Sequence, residues 1–539
     1  MQGSYSPNRL RWLGLACSVA MAASAYLAGE PSQRGPGWGV GVALWAVGAA
    51  GLAAVWWRLR NVAAPGWLLV TGALWALPLL LAPPLGSHDV YAYACQGELV
   101  AAGLDPYVAG PDALPCQWLD RVSPTWQGTP APYGALWLVV ERFAGAVAYG
   151  SLPFAVTVLR LAAIGGVLLA TIAGARLARH CGAEPARVVW LGALGPLTLV
   201  HAVSGAHNDA LLAGLIVAGL LAAVGPLPVV APLAVADSSA RAGRLAAAGP
   251  LARAGQLAAA GPLAVVERLA VAGPPAGTDR RIAVARLVLA GAAFGAAASI
   301  KATALVVVPF AVAVVPWART GRRRIAAGGV LAVATVGTVV LLAGLTGHGF
   351  GFVQSWPATA GNVQWSSILT GVGMAVGYGL RIAGRPEAYA TAVEVARLAG
   401  LCVLAAVLVA VWRRALHGGV AQGVSAAGVA LLATALLGPV FYAWYALAGV
   451  AVLAATAPRG RAATLLHAGA AALVFLTLPD SLGLVTKTKV PGALFDVLLV
   501  CWVIAWRVAG ARRASSHWSQ SGGRTAADLV GRSASFGRR

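Results

Sequence analysis

Apolar runs of about 17–22 residues recur along this chain, divided by short polar segments. Each is long enough to cross roughly 30 Å of hydrocarbon. Fourteen are predicted as spans: 12–29, 38–57, 66–83, 152–175, 187–204, 210–233, 283–299, 302–318, 325–345, 390–412, 422–437, 440–457, 462–478 and 493–508. Two further apolar stretches, 133–150 and 367–383, carry charge at Glu141, Arg142 and Arg381. Their pattern suits amphipathic helices lying at the outer interface. The expected architecture is an all-α polytopic membrane protein with about 12–14 transmembrane helices. A large first extracytoplasmic loop, 86–134, carries interfacial helices.

Composition supports this. Only 10% of the 539 residues are charged and the mean hydropathy is +0.77, far too apolar for a soluble surface. The 39 basic against 17 acidic residues give +22, a balance that in another chain would suggest nucleic acid. Here the arginines fall in short segments between apolar runs, the positive-inside pattern. Arg9, Arg11, Arg58, Arg60, Arg176, Arg179, Arg319, Arg322, Arg323, Arg324, Arg413, Arg414, Arg459 and Arg461 all thread to one side. There they gain from anionic lipid headgroups, so the expected partner is membrane lipid and not nucleic acid. The chain is predicted to be multi-pass in the plasma membrane with both termini cytoplasmic. Its first apolar run is read as an uncleaved span, although the preceding Arg9 and Arg11 resemble a signal-peptide start.

The organisation that follows has N-terminal transmembrane helices at 1–65, a core at 66–235 and C-terminal transmembrane helices at 283–508. Between core and C-terminal part, 236–282 is a low-complexity cytoplasmic insertion with a 12-residue repeat over 243–276, broken by Gly-Pro pairs and read as carrying no chemistry. Residues 509–539 form a basic tail expected to be disordered and cytoplasmic.

Unusual polar residues gather on the predicted outer side. All three lysines, Lys301, Lys487 and Lys489, fall there against the positive-inside bias. They are either solvated loop residues or contacts for an anion such as a phosphate. Asp89 opens a short helix, Val90–Ala102, closed by Gly103, and a helix N-terminus stabilises its anion. That is a complete structural account of the residue. The same physics equips it as a general base beside His88. Tyr91 and Tyr93 fit an interfacial aromatic belt or a sugar-stacking surface. His207-Asn208-Asp209 either caps the next helix or floors a site for an acceptor sugar. Glu394 and Arg397, at i and i+3 within a span, can pair with each other. Arg160, also in a span, has no local partner and is a candidate ligand for an anion. Cys95 and Cys116 share one polar loop and can form a disulfide in an oxidising compartment. No metal-ligand spacing is visible.

One block of residues is similar to a known family. Ser87-His88-Asp89-Val90-Tyr91-Ala92-Tyr93, continuing through Gly97-Glu98-Leu99, Gly103-Leu104-Asp105-Pro106-Tyr107 and Thr129-Pro130-Ala131-Pro132-Tyr133-Gly134, resembles the actinobacterial polyprenol-phosphate-mannose-dependent α-1,6-mannosyltransferases of the GT-C fold. His207-Asn208-Asp209, Ile300-Lys301-Ala302 and Phe441-Tyr442-Ala443-Trp444-Tyr445 follow in the expected order. The resemblance runs from about residue 60 to 505. It implies a GT-C-like core in which Asp89 is the catalytic carboxylate. The implied donor is polyprenyl-phosphate-mannose and the acceptor a lipid-anchored mannan, such as a lipomannan or lipoarabinomannan core. Asp89 would deprotonate the acceptor 6-hydroxyl, and inversion would give the α linkage. Lys301 or Arg160 would steady the leaving phosphate. His88, Tyr91, Tyr93, His207, Asn208, Asp209, Tyr442 and Trp444 would hold the sugars. His88 stands where the family often has a second acid, so divalent-metal dependence stays open and no cofactor is assigned. Two alternatives are weighed: a GT-C transferase using another lipid-linked sugar, and a transporter or lipid flippase. Polar residues at one face, without two similar halves, favour an enzyme over the second.

Overall fold

The computed structural model of the chain describes residues 6–29, 35–225, 280–318, 321–357, 361–456, 458–480, 483–506 and 509. The repeat at 243–276 and the tail from 510 lie outside the described residues. Within them the chain is helical, with one isolated bridge, Thr477 to Gly483, and no named strand. The protein is an all-α polytopic membrane protein.

Every run predicted as a span overlaps helix among the described residues, and 226–233 of the run 210–233 lie outside them. Among the described residues eight helices are long and apolar enough to cross a bilayer: Pro7–Leu27, Trp38–Asn61, Leu152–His180, Arg281–Ala298, Gly321–Thr346, Ala388–His417, Val420–Leu437 and Lys489–Trp506. A bent pair, Pro185–Ala193 with Thr198–Ser204, makes a ninth when taken as one span. The remaining runs are helices of 10–17 residues, among them Pro65–Leu81, Asp209–Val224, Ala302–Val314, Ala443–Ala454 and Gly460–Leu476. The expected 12–14 spans are therefore eight or nine full-length ones together with shorter segments. Some of the shorter segments begin where polar or extended residues cut into an apolar run, as Tyr442 does before Ala443.

Most of these helices are apolar on all sides, so close approach depends on small residues rather than an apolar stripe. Leu152–His180 crosses Asp209–Val224 at Gly166, where a β-carbon would strike the backbone of Ala210 and Leu211; Gly214 meets the Gly166 carbonyl from the other side. The bend of 67° in the 185–204 segment falls at Gly195-Pro196. Proline cannot supply the helical N–H, and π-helical turns at Val189–Ala193 and Thr198–Ser204 flank the break. The chain then passes through Ala206, a non-glycine residue with φ of 53°, and delivers His207, Asn208 and Asp209 to the head of the next helix.

The first loop folds over this end of the bundle. Its helix Asp89–Ala101 lies against Ala135–Ala148 at Gly97 and Gly145. A β-carbon on Gly145 would come within 2.6 Å of the Gly97 carbonyl carbon. Ala135–Ala148 buries Trp137 and Leu138 and exposes Val139 and Phe143, the two-sided character expected of 133–150. Ile368–Ile382 occupies the second predicted interfacial stretch and packs on Ala388–His417.

Candidate active site

The turn before the loop helix sets the site. Gly86 takes φ of 88°, a conformation natural to glycine, and Ser87 Oγ accepts the Asp89 backbone N–H at 2.9 Å. Asp89 thus begins the helix with its carboxylate at the helix N-terminus, only 10% exposed. Burial pushes its pKa up to about 6; hydrogen bonding with Ser87 and the charge of Lys301 oppose the rise, Asp209 adds to it, and hydrogen bonding with Trp126 opposes it. Burial also pushes His88 down to about 4. Its Nδ1 lies 2.9 Å from the Arg121 carbonyl oxygen, which suits a neutral ring donating from Nδ1.

Asp89 opens onto a cavity of about 110 Å³. Ser87, His88 and Trp126 line it from the loop, Gln364 and Ser366 from the segment before Ile368, and Tyr442 and Trp444 from the aromatic turn. Thr477 and Thr486 complete the rim. Tyr442 and Trp444 stack with centroids 4.8 Å apart and planes 6° apart, and Trp126 stands edge-on to Tyr442 at 6.4 Å. Flat aromatic faces beside hydroxyl and amide groups suit a ligand that presents both C–H surfaces and hydroxyls.

Behind Asp89 lies a buried polar layer. His207 Nδ1 is 3.7 Å from Asp89 Oδ2, and its ring stacks on Trp444 at 3.8 Å. Lys301 Nζ pairs with Asp209 Oδ2 at 2.5 Å and sits 4.4 Å from the Tyr445 ring centroid. The Ser299–Lys301 turn is fixed by N–H groups of Gly134 and Leu136 on the carbonyls of Ile300 and Ser299. Asn208 is fully buried. Tyr93 packs edge-on to Tyr133 and Trp137, each at 5.3 Å, and Tyr91 stands edge-on to His88 at 5.1 Å.

The residues expected to act together therefore divide. Asp89, His88, Tyr442 and Trp444 line the cavity, whereas His207, Asn208, Asp209, Lys301, Tyr91 and Tyr93 surround Asp89 without lining it. Arg160 does not reach the cavity. Its guanidinium donates to the carbonyls of Leu80, Ala82 and Ser204 at 2.6–3.1 Å, so it pins the entry of the loop to the broken span. Four participants escaped sequence reasoning. His201, six residues before His207, is fully buried 5.5 Å from the Trp444 ring, and its spacing from His207 was the available signal. Trp126, Gln364 and Ser366 come from segments whose approach to Asp89 is set by tertiary packing alone. Among the described residues no group of three or more His, Cys, Asp or Glu is arranged to hold a metal ion.

Cys95 and Cys116 form the disulfide, with S–S of 2.04 Å across 21 positions. It ties the Asp89 helix to the segment whose Arg121 carbonyl meets His88. Closing a loop of that size stabilises by about 3 kcal/mol. Cys95→Ser with Cys116→Ser should accordingly lower the melting temperature of the detergent-purified protein. An unchanged melt would mean that packing alone secures the segment.

Fold and cavity together define a membrane-embedded protein with a buried acid facing an aromatic pocket at one end of a helical bundle. Residues 11–319 match the alpha-(1->6)-mannopyranosyltransferase N-terminal domain and residues 369–506 match the MptB C-terminal domain. The chain belongs to the alpha-(1->6)-mannopyranosyltransferase family. Among its relatives, an alpha-(1->6)-mannopyranosyltransferase of Mycobacterium tuberculosis is 30% identical over 396 residues, covering 72% of this chain and 65% of that protein. A probable alpha-(1->6)-mannopyranosyltransferase of Mycolicibacterium smegmatis is 29% identical over 483 residues, 84% of this chain and 80% of the relative. Alpha-(1->6)-mannopyranosyltransferase B of Corynebacterium glutamicum is 28% identical over 428 residues, 78% and 63% respectively. The chain thus spans a little under two thirds of two of these relatives. No solved structure matches it significantly.

Proposed function

We propose that this protein is an inverting mannosyltransferase that moves mannose from polyprenyl-phosphate-mannose to an α-1,6-linked, lipid-anchored mannan on the extracytoplasmic face of the plasma membrane. The observation that carries the reading is Asp89, a buried carboxylate at a helix N-terminus, facing a cavity walled by Trp126, Tyr442 and Trp444. The arginine distribution supports an outward-facing loop, and a disulfide in that loop suits an oxidising compartment.

In this mechanism an acceptor sugar lies against the aromatic walls with its 6-hydroxyl on Asp89. The O–H bond breaks as the carboxylate takes the proton, while the oxygen forms its bond to the anomeric carbon. The bond from that carbon to the phosphate oxygen breaks on the opposite face, and its electron pair leaves with polyprenyl phosphate. A phosphate monoester departs readily, so no acid is required on that side. Lys301 assists by charge, holding Asp89 toward its anion and supplying positive potential near the leaving phosphate. Its pairing with Asp209 tempers that potential.

The experiment is a transfer assay with purified protein in liposomes, supplied with several lipid-linked sugars and an α-1,6-mannan acceptor. Polyprenyl-phosphate-mannose should be used at least 10²-fold faster than the glucose and arabinose counterparts, in keeping with a site that hydrogen-bonds particular hydroxyls. Preference for another sugar would retain the reaction class and overturn the substrate. Transport of a lipid-linked sugar without transfer would overturn both.

A further inference from the structure

We infer that His207 is a positioning residue for Asp89, donating Nδ1–H to its inner carboxylate oxygen so that the outer oxygen faces the acceptor hydroxyl. The inference rests on the reading of Asp89 as general base and adds a second residue to that step.

Four observations carry it. His207 Nδ1 is 3.7 Å from Asp89 Oδ2, under an ångström beyond hydrogen-bond length. Such contacts commonly shorten when substrate is bound. Both ring nitrogens of His207 are buried without a hydrogen-bond partner, and an unmade bond of that kind is costly. Among the described residues no other partner meets Nδ1, so the carboxylate is its available acceptor. The ring is also held in orientation: it stacks on Trp444 at 3.8 Å and 15°, in space that Gly205 leaves open, since a β-carbon there would lie 3.2 Å from its Cδ2. Finally, the left-handed Ala206 sits immediately before it. Strain of this kind is sustained only where the surroundings over-determine it.

The charge state agrees. Burial holds the His207 ring well below the usual imidazole range, and the neighbouring His201 and Lys301 push the same way. A neutral ring keeps one N–H to donate and does not take the proton from Asp89. Around Asp89 the other titratable groups are His88 beside it, Lys301 and Asp209 from the buried pair, and the phenols of Tyr93, Tyr133, Tyr442 and Tyr445. Lys301 already favours the anion by charge at a distance. Among these described groups, His207 is the one whose ring nitrogen lies within 4 Å of the Asp89 carboxylate, so loss of its N–H is the change the Asp89 proton should register.

Two substitutions separate positioning from packing. His207→Phe keeps a flat ring for Trp444 and removes the donor. His207→Asn loses the ring but places an amide N–H at the same two-bond distance from Cβ as Nδ1. With transfer measured against pH, His207→Phe should lower kcat by roughly 10–100-fold, the worth of a hydrogen bond to a charged group. It should also move the acid limb to higher pH, with the KM for donor little changed. His207→Asn should recover most of the rate and return the limb. A structural role predicts the reverse order, Phe better than Asn, with an unmoved limb, and that result overturns the inference. Asp89→Asn run alongside keeps the two claims apart. If it is active, the general-base reading itself fails; if it is inactive while His207→Phe leaves the limb in place, only the role of His207 fails.

Discussion

Asp89→Asn should reduce mannosyl transfer by about 10²–10⁴-fold, the usual contribution of a positioned base, while the protein still inserts and melts as the wild type does. The substitution is nearly isosteric. It keeps the side chain over the helix N-terminus and next to Ser87, and it removes a charge that burial already disfavours. Stability should therefore hold or rise slightly, which separates a chemical defect from a folding one. Transfer near the wild-type rate, from protein of equal amount and melting temperature, would remove Asp89 as the base.

Lys301→Ala should have the second largest effect, and for a mixed reason. The side chains of Lys301 and Asp209 are 14% and 4% exposed and lie 2.5 Å apart. Removing one member of such a buried pair costs about 3–5 kcal/mol, because the other is left charged without a partner. The variant should melt well below wild type. The charge of Lys301 also holds the Asp89 carboxyl down, so its loss raises that pKa further and shifts the acid limb to higher pH. Adding Asp209→Asn should restore the melting temperature by removing the stranded charge. Any remaining rise in KM for the lipid donor in the double variant measures what Lys301 contributes to phosphate binding. A double variant with wild-type donor dependence would confine Lys301 to structure.

These partnerships mark the boundary of what the sequence shows. The helical content was legible because apolar length is enforced by the bilayer, and even the two charged stretches at 133–150 and 367–383 became helices of two-sided character. The Cys95–Cys116 bridge was legible because the two share one loop. The bend at Gly195-Pro196 had its signal in the sequence, but an apolar window of that length reads the same straight or broken. Lys301 and Asp209 stand 92 positions apart, and nothing local in either segment announces the pair. Arg160 misled for the same reason. With no partner nearby in sequence it looked available, whereas its acceptors are backbone carbonyls of Leu80, Ala82 and Ser204, which carry no side-chain signature. Of the site, the acid and the aromatic turn could be read in advance. The residues of the layer behind the acid could also be named, but their arrangement could not be read, because it is assembled by a Gly166–Ala210 crossing and a left-handed Ala206 rather than by any motif.

The most direct measurement is the pH dependence of kcat for polyprenyl-phosphate-mannose transfer by the purified protein. A base works only when unprotonated, so burial that lifts Asp89 to about 6 predicts a rate that is full at neutral pH. It should fall tenfold per unit once pH drops below that point, with the limb absent from the residual rate of Asp89→Asn. A rate that stays flat through pH 6 and declines only near 4, where an ordinary carboxylate titrates, would contradict a buried Asp89 as the group that takes the acceptor's proton.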